Sequence, residues 1–528
     1  MRTTWKVGVV TLGLVGLASV AWESPGAGPS GRVEDPSGAP AAGALVTATR
    51  PDGRTMTVYT DADGGFELPD EAGDASSWTA WLPGVGRSAA AGAEPPTALR
   101  LPASDPVGPP GSAWLAHLPD GPDTRRFILD CTGCHVTDAS RVETPDGPRS
   151  REAWEDAVRM MRANFGPGTS FPIISGWSLP ETVGQWAAEH LSGADPRTPP
   201  LRGPVPAAGT TGAVLPEYPG PVPGDLPHDL MVDEGGTVWV TGMFTHQMYT
   251  LEPTSGVFAT VPIPVPNANP RALDIDASGR IWVVLGAPGQ VAIHDPATGS
   301  WETVEVGLYA HSVMVGPDGN GWVNGHFTVD PEVIASVDGA TGEVDRHTVP
   351  AEGPGGNPES TIPYGLRVGP DGTVWGTQLR GNRLIRLDPS SGRVDQWSMP
   401  ETHAGPRRPD VAPDGSVWIP LYASNALVRF DPATETFRRW EFPVDGALPY
   451  VVRVDQSRGT VWIGTGHGDV AASFDPADET FTLYPLPTRG ALVRHLDVDE
   501  VRNEIWFAYG ASPGIPGRLL RLQPGDVE

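Results

Sequence analysis

Met231-Val232-Asp233-Glu234-Gly235-Gly236-Thr237-Val238-Trp239 is the first copy of a motif that recurs through the C-terminal part of the chain. The motif has the form apolar-x-Asp-x-x-Gly-x-apolar-Trp, and related stretches end 40 to 53 residues apart at Trp239, Trp282, Trp322, Trp375, Trp418, Trp462 and Trp506. A period of about 40 to 45 residues with several short strands and a fixed tryptophan is typical of a β-propeller blade. Seven copies predict a seven-bladed β-propeller over residues 213–528, with the seven tryptophans in its core.

A strand before the first repeat indicates how the ring closes. Residues Ala213 to Tyr218 read A-V-L-P-E-Y and are similar to the strands that end the other blades. We expect this strand to pair with the last blade and so to close the ring.

The innermost strands of a propeller open on a central channel, and their first residues line its mouth. The residue just before each predicted innermost strand is His, Arg or Tyr in all seven blades: His228, Arg271, His311, Tyr364, Arg407, Tyr450 and Arg494. Such a ring could hold an anionic ligand or a metal, or dock another surface. The alternative is a hydrogen-bonded lining that fixes the blades to one another.

The blade pattern resembles the streptogramin (virginiamycin B) lyase family, whose propellers also have seven blades. The resemblance implies elimination across an ester linkage, with a magnesium ion held by glutamates three residues after the blade tryptophans and a histidine as base. Here those positions hold Gly242, Leu285, Gly325, Gln378, Leu421, Thr465 and Tyr509. Since a magnesium site needs carboxylate oxygens, the resemblance implies the architecture without the lyase chemistry. Three histidines near the predicted mouth remain: His246, His326 and His467.

Cys131-Thr132-Gly133-Cys134-His135 contains the only two cysteines among the 528 residues. C-x-x-C-H is the attachment signature of a c-type haem, in which two thiols bind the porphyrin vinyl groups and the histidine is an iron ligand. A redox-active disulfide would be expected in a thioredoxin-like βαβ unit, and a structural zinc site needs four ligands. We therefore predict one covalent haem c, held by Cys131, Cys134 and His135.

The residues around this motif predict a small helical unit. Apolar spacing indicates helices over 124–128, 151–163 and 179–191. The first of these runs into Cys131, so the motif would lie at a helix C-terminus. Three helices around one attachment motif predict an all-α cytochrome c-like domain over residues 112–195, similar to the single-haem cytochrome domains that are fused to exported propellers and dehydrogenases.

A single histidine leaves the sixth iron position open. Met161 continues the apolar face of Trp154 and Val158, and we prefer it to Met160 as the sixth ligand of the haem iron. His190 and His117 are further candidates. The alternative is that both methionines only pack in the core.

Residues 30–104 have the short, turn-separated strands of a β-sandwich. The wording G-x-V-x-D-x-x-G-x-P from Gly31, then G-A-x-V from Gly43, then T-D-x-D-G-x-F from Thr60 resembles the carboxypeptidase regulatory-like domain. Asp61 and Asp63 could suggest calcium, but the loop lacks the glutamate that ends an EF-hand loop, and a turn is the preferred interpretation. Residues 105–111 are predicted to be a linker.

The N-terminus and the overall charge indicate the compartment and exclude some partners. Arg2 and Lys6 precede an apolar run from Val7 to Val20, and small residues follow, which predicts a signal peptide over residues 1–21. The run is short for a membrane span, so none is expected after cleavage. With 36 basic against 64 acidic residues, the net charge of −28 argues against nucleic acid or an anionic membrane as partner. We expect a periplasmic or secreted protein, where c-type haem is attached.

These features predict a multidomain, mainly β protein: a β-sandwich, a small all-α cytochrome c domain, and a seven-bladed β-propeller. The first functional hypothesis is an exported c-type cytochrome that transfers electrons, with a propeller that binds a small-molecule substrate or a redox partner protein. The alternatives are a lyase-like enzyme with an accessory cytochrome domain, and a propeller that is a non-catalytic binding module. Whether the chain is a haem-dependent oxidoreductase stays open, because no quinone or flavin site is recognisable in the sequence.

Overall fold

The computed structural model describes residues 28–104, 108–196, 210–326, 332–350, 361–510 and 515–525. Over these ranges the protein is mainly β, with thirty-seven strands and five α-helices. The predicted signal peptide at 1–21 lies outside the described residues. Among the helices of the described ranges, none has the length and apolar character needed to cross a membrane.

The N-terminal unit is a β-sandwich built from seven strands and a 3-10 turn at Asp70–Asp74. Its strands are β1 Ser30–Glu34, β2 Leu45–Thr49, β3 Thr55–Tyr59, β4 Gly65–Glu67, β5 Ser77–Leu82, β6 Gly86–Ala91 and β7 Ala98–Arg100. One sheet has the order β4-β1-β7 and the other contains β3-β2-β5-β6. The Asp61 carboxylate accepts the backbone N–H groups of Asp63 and Gly65, at 2.9 and 2.7 Å. The turn predicted here is therefore confirmed.

The next segment is helical and is called the cap below; it spans residues 108–196. It contains α1 Gly111–Leu115, α2 Pro122–Cys131, α3 Ala139–Val142, the hairpin β8 Glu143–Thr144 with β9 Gly147–Pro148, α4 Arg151–Phe165 and α5 Pro180–His190. Helix α2 ends at Cys131, as the sequence predicted. Ser150 caps α4 by accepting the N–H of Ala153 at 3.2 Å. Helices α4 and α5 meet at Gly184, where a Cβ atom would come within 2.5 Å of the Glu155 side chain.

A distinct all-α domain, which the sequence predicted, is not evident. Phe127 and Trp154 of the cap belong to one continuous buried cluster with Tyr450 and Val451 of the propeller. Trp81 of the sandwich packs in the same cluster. The apolar faces of the helices are therefore covered by other parts of the chain as well as by one another.

Six separate four-stranded antiparallel sheets and four strands of a larger sheet form the seven blades of a propeller. Each blade is given from its innermost strand outward, and blade 1 is β11 Pro227–Val232, β12 Val238–Gly242, β13 Gln247–Glu252 and β14 Val257–Val261. Blade 2 is β15 Pro270–Ile275, β16 Ile281–Leu285, β17 Gln290–Asp295 and β18 Ser300–Glu305. Blade 3 is β19 Ala310–Val315, β20 Gly321–Gly325, β21 Glu332–Val337 and β22 Val344–Val349. Blade 4 is β23 Pro363–Val368, β24 Val374–Gln378, β25 Arg383–Asp388 and β26 Arg393–Ser398. Blade 5 is β27 Asp410–Val411, β28 Val417–Leu421, β29 Ala426–Asp431 and β30 Thr436–Glu441. Blade 6 is β31 Pro449–Val454, β32 Val461–Thr465, β33 Val470–Asp475 and β34 Thr480–Pro485. Blade 7 is β35 Val493–Asp499, β36 Glu504–Tyr509, β37 Arg518–Leu522 and β10 Val214–Pro219.

Strand β10 closes the ring, as the sequence predicted, by pairing antiparallel with β37. The sequence did not predict its second partner. The other edge of β10 pairs antiparallel with β3 of the sandwich, with Val214 opposite Val58 and Glu217 opposite Thr55. Blade 7 and one sandwich sheet thus form a single eight-stranded sheet, and the outer edge of the closing strand is not left unpaired.

The repeated tryptophans lie on the second strand of each blade and are buried, which confirms their core role. The structure also explains the aspartate of the motif. In blade 1 the Asp233 carboxylate accepts the Trp239 indole N–H at 3.0 Å and the Thr237 backbone N–H at 2.9 Å. Gly236 supplies the positive φ of 91° that this turn requires. One aspartate therefore fixes both the hairpin turn and the tryptophan rotamer.

The propeller mouth and the Cys131–His135 loop

The seven ring residues lie at the same end of the innermost strands, as expected, but six of them lie within the strands rather than before them. In blade 1, Pro227 pairs with Gly242 and the next pair is Leu230 with Val240, so His228 lies in a bulge. A bulge re-aims the side chain it carries. The other five are Arg271, His311, Tyr364, Tyr450 and Arg494; only Arg407 precedes its strand.

The ring residues are buried, and some of them pack against one another. All seven side chains are buried, and several contact one another: the His311 ring is 5.9 Å from that of His228 and 4.8 Å from that of Tyr364. Tyr364 and Tyr450 share a hydrogen bond between their hydroxyl groups. The cap covers this mouth, so the ring contacts another part of its own chain.

The Cys131–His135 loop lies directly on the ring and is held by its backbone. Arg494 donates hydrogen bonds to the carbonyl oxygens of Gly133 and Cys134, at 3.3 and 3.0 Å. Tyr422 donates to the Thr132 carbonyl at 3.0 Å. A Cβ atom on Gly133 would be 3.0 Å from Nη2 of Arg407, so a larger residue here would displace that guanidinium. The propeller thus fixes the loop without using the thiols or the imidazole.

Arg407 lies beneath the loop in a box of three tyrosine rings. Its guanidinium carbon is 3.9 Å from the Tyr422 ring centre, 4.2 Å from that of Tyr450 and 4.8 Å from that of Tyr364. Nη1 donates to the Tyr364 hydroxyl at 2.5 Å. Its Nε and Nη2 atoms are buried and have no hydrogen-bond partner among the described residues. Cation–π contacts therefore provide much of the stabilisation of this charge.

A buried ion pair holds the end of α2. Asp130, next to Cys131, pairs with Arg380 of blade 4, and both side chains are almost wholly buried. The same carboxylate accepts the Ser175 N–H at 3.1 Å and the hydroxyl groups of Ser175 and Ser178. Arg380 also donates to the carbonyl of Ile173. The Asp130–Arg380 ion pair therefore connects helix α2, the α4–α5 loop and the propeller.

The far side of the mouth is covered by Phe171 of the cap. The Arg271 guanidinium carbon is 5.2 Å from the Phe171 ring centre, and Tyr309 and His326 lie around the same ring at 5.9 and 6.2 Å. Arg271 also donates to the Tyr309 hydroxyl at 2.5 Å. The cap therefore contacts blades on opposite sides of the channel.

The side chains of the motif have the donor chemistry that a covalent haem would need. Cys131 and Cys134 are free thiols, with Cys134 exposed, and burial raises the pKa of Cys131. His135 Nδ1 is 3.2 Å from the Val136 carbonyl oxygen, which places the proton on Nδ1. Its Nε2 has no hydrogen-bond partner among the residues described. A neutral imidazole held through Nδ1 presents the Nε2 lone pair to a metal, and burial lowers the pKa of His135, which favours that neutral form.

The structure places the four sixth-ligand candidates in different surroundings. Met161 is half-buried on the α4 face that carries Trp154 and Val158, whereas Met160 is 62% exposed. The His190 ring packs against Trp186 at 4.9 Å, and His117 is half-buried after α1. The sixth ligand stays a prediction.

Of the three other histidines, His246 and His326 have side-chain contacts, whereas both ring nitrogens of His467 lack a hydrogen-bond partner among the described residues. His246 Nδ1 accepts the Asn269 N–H at 3.1 Å, and His326 stacks on His311 at 4.1 Å. His467 is fully buried beneath α1, where its carbonyl accepts the Ser112 N–H at 2.9 Å. Burial lowers the pKa of His467 to about 3, so it is neutral.

The positions three residues after the tryptophans lie at this same mouth, because they pair with the first residues of the innermost strands. Gly242 is opposite Pro227, and Gln378 is opposite Pro363. Gln378 donates to the buried Glu332 at 2.6 Å, and burial raises the pKa of Glu332 to about 7. Across the described ranges, no three His, Cys, Asp or Glu side chains gather as metal ligands.

Comparisons with known proteins agree with two of the predicted units. Residues 298–516 match the Virginiamycin B lyase family, and residues 30–100 match the carboxypeptidase regulatory-like domain. Neither match reaches the cap. No curated protein matches the chain.

Solved structures show the same propeller fold. The selenomethionine-substituted virginiamycin B lyase from Staphylococcus aureus is 18% identical, with a TM-score of 0.52, over 59% of this chain and 99% of the lyase. A streptogramin B lyase structure is also 18% identical, with a TM-score of 0.53, over 60% of this chain and 99% of that one. The lyase-like propeller and the carboxypeptidase regulatory-like domain are therefore confirmed, and the likeness to the lyases is one of fold.

Proposed function

We propose that the propeller is a non-catalytic binding scaffold whose mouth holds the Cys131–His135 loop of its own chain, and that this loop carries a covalent haem c for electron transfer. The observation that carries the proposal is how the loop is held. Arg494 and Tyr422 bind its backbone carbonyls, so these bonds engage neither thiol and leave the His135 Nε2 atom unused. In this proposal the ring has a docking role, one of the interpretations that the sequence left open.

Each group of the motif has a defined part in this proposal. Cys131 and Cys134 would hold the haem as thioethers, each S–H adding across one vinyl group, which needs no oxidant. His135 would bind the iron through Nε2, and Met161 is the proposed sixth ligand. Haem c supplies a one-electron couple when bound. The electron donor or acceptor is proposed to be a partner protein or a small molecule outside the cytoplasm, in agreement with the predicted signal peptide.

The test is whether haem is covalently attached. We expect protein matured with a haem c attachment system to show the visible bands of a low-spin c-type haem, with colour that acidified acetone does not extract. The Cys131→Ala/Cys134→Ala double variant is the matched control and should retain no covalent haem. Extractable haem, or none, in the parent protein contradicts the proposal.

A lyase-like enzyme is the second candidate, and the family match over residues 298–516 favours it. The geometry opposes it, since the mouth carries no carboxylate at the post-tryptophan positions and the cap covers it. We expect no ring opening when magnesium and a streptogramin B substrate are added. Measurable turnover that the Glu332→Gln variant loses would support the lyase function and contradict a non-catalytic scaffold.

A further inference from the structure

Two buried arginines of the ring face the attachment loop without a carboxylate partner. Arg407 and Arg494 are only 1% and 6% exposed, and neither forms an ion pair within the described part of the chain. The neighbouring Arg408 differs, because its guanidinium binds both oxygens of the Asp229 carboxylate, at 2.6 and 2.8 Å. Burial of charge without pairing is costly, so this arrangement calls for an explanation beyond packing.

The groups that surround the two cations are neutral. Arg494 donates only to the Gly133 and Cys134 carbonyls, and its Nε atom is buried without a partner. Arg407 contacts tyrosine rings and one tyrosine hydroxyl. An arginine does not lose its proton in a protein. Two permanent positive charges therefore lie at the loop in surroundings that screen them weakly.

Other charges lie near the loop, but they are paired or face solvent. Asp130 is paired with Arg380. Asp138 and Arg141, the charged groups nearest to His135 on the cap side, are of opposite sign and partly exposed. The net unscreened charge at the loop is therefore positive.

We infer that Arg407 and Arg494 raise the reduction potential of the haem carried by the Cys131–His135 loop. The inference rests on the proposed function. The ferric state carries one more positive charge than the ferrous state, and fixed cations therefore destabilise the ferric state more. The propeller thus acts on the redox couple by charge, in addition to holding the loop.

The experiment measures the midpoint potential of the full-length holoprotein by spectroelectrochemistry in Arg407→Gln and Arg494→Gln. At a fixed applied potential, we expect each variant to increase the ratio of ferric to ferrous haem at least tenfold. This corresponds to a fall in midpoint potential of about 59 mV for one electron. Arg407→Lys keeps the charge and should retain most of the parent potential. Arg393→Gln, on the exposed outer strand of blade 4, is the matched control and should leave the potential unchanged.

Three results would overturn the inference while leaving the proposed function intact. These are unchanged potentials in both glutamine variants, raised potentials, and an equal fall in Arg407→Lys and Arg407→Gln, which would indicate altered packing. Covalent haem content and the parent visible spectrum establish that a variant is folded and loaded. If Arg407→Gln does not load, Arg494→Gln decides, since it removes only bonds to loop carbonyls. Absence of covalent haem from the parent protein contradicts the proposed function itself.

Discussion

The sandwich and the cap are both attached to the propeller, but by different kinds of contact. The sandwich joins blade 7 through a ladder of backbone pairs between β3 and β10. The cap joins the mouth through individual buried side chains, above all Asp130 with Arg380 and Arg494 with the loop. Backbone pairing tolerates many side chains, whereas a buried ion pair depends on both partners. Single substitutions should therefore damage the mouth more than the sandwich junction.

The largest expected effect is at the buried ion pair. Asp130→Ala leaves Arg380 charged and unpaired in the interior, and removal of one partner of such a pair costs about 3 to 5 kcal/mol. Urea unfolding of the full chain measures the loss. Asp123→Ala on the same helix is the matched control, because its pair with Arg126 is exposed and is worth about 1 kcal/mol or less. Equal losses in the two variants would contradict the contrast between the interfaces.

A smaller effect is expected at the sandwich junction. Tyr59 donates its hydroxyl to the Pro485 carbonyl at 2.9 Å, from the sandwich to the propeller. Tyr59→Phe removes this bond and leaves a buried carbonyl unpaired, which costs about 1 to 3 kcal/mol, while the β3–β10 ladder remains. We expect amide exchange in β10 to stay slow in this variant. Rapid exchange there would mean that the junction depends on one side chain after all.

The smallest expected effect depends on pH and belongs to Glu217 in β10. Its carboxylate accepts hydrogen bonds from Thr55 of the sandwich and from Thr488 and Tyr509 of the propeller. Burial raises the pKa of Glu217 above its usual value of 4.5. The folded state then binds more protons than the unfolded state above about pH 4.5, so stability falls as pH rises through that window.

Glu217→Gln should remove this part of the pH dependence. The difference in unfolding free energy between the variant and the parent should move in favour of the variant as pH rises from 4 to 8. Glu302→Gln, on the exposed outer strand of blade 2, is a control that should not change the slope. A constant difference between Glu217→Gln and the parent across this range would show that Glu217 ionises without cost.

Local patterns predicted the elements but not how they meet. The aspartate–glycine–tryptophan turn recurs in six blades, with Asn503 replacing the glycine in blade 7, so blade number and tryptophan burial could be predicted from the repeat. Arg494 and Gly133 are 361 positions apart, and no local period records such a contact. The sequence predicts an apolar face on α4 and on α5, but not which part of the chain covers that face. The pairing of the sandwich strand β3 with β10 could not be predicted either, because strand edges pair through backbone groups that every residue carries.

One signal at the mouth was overlooked. The residue four positions after the blade tryptophan is His326 in blade 3 and Tyr422 in blade 5. Both lie beside the ring, and both contact the cap. The same position in other blades holds glycine, leucine or methionine, so no repeat marks it. His326 is recognisable from the sequence as a histidine near the mouth, whereas Tyr422 is revealed only by the differences between the blades.

The double pairing of β10 also bears on errors in assembly. Side chains alternate between the faces of a strand, so a slip by one residue turns every side chain to the wrong face. Strand β10 pairs with β37 on one edge and with β3 on the other. A shift of β10 by one residue would therefore disrupt the register with both strands. Pairing with the N-terminal sandwich therefore favours the correct register of β10 when the last blade closes the ring.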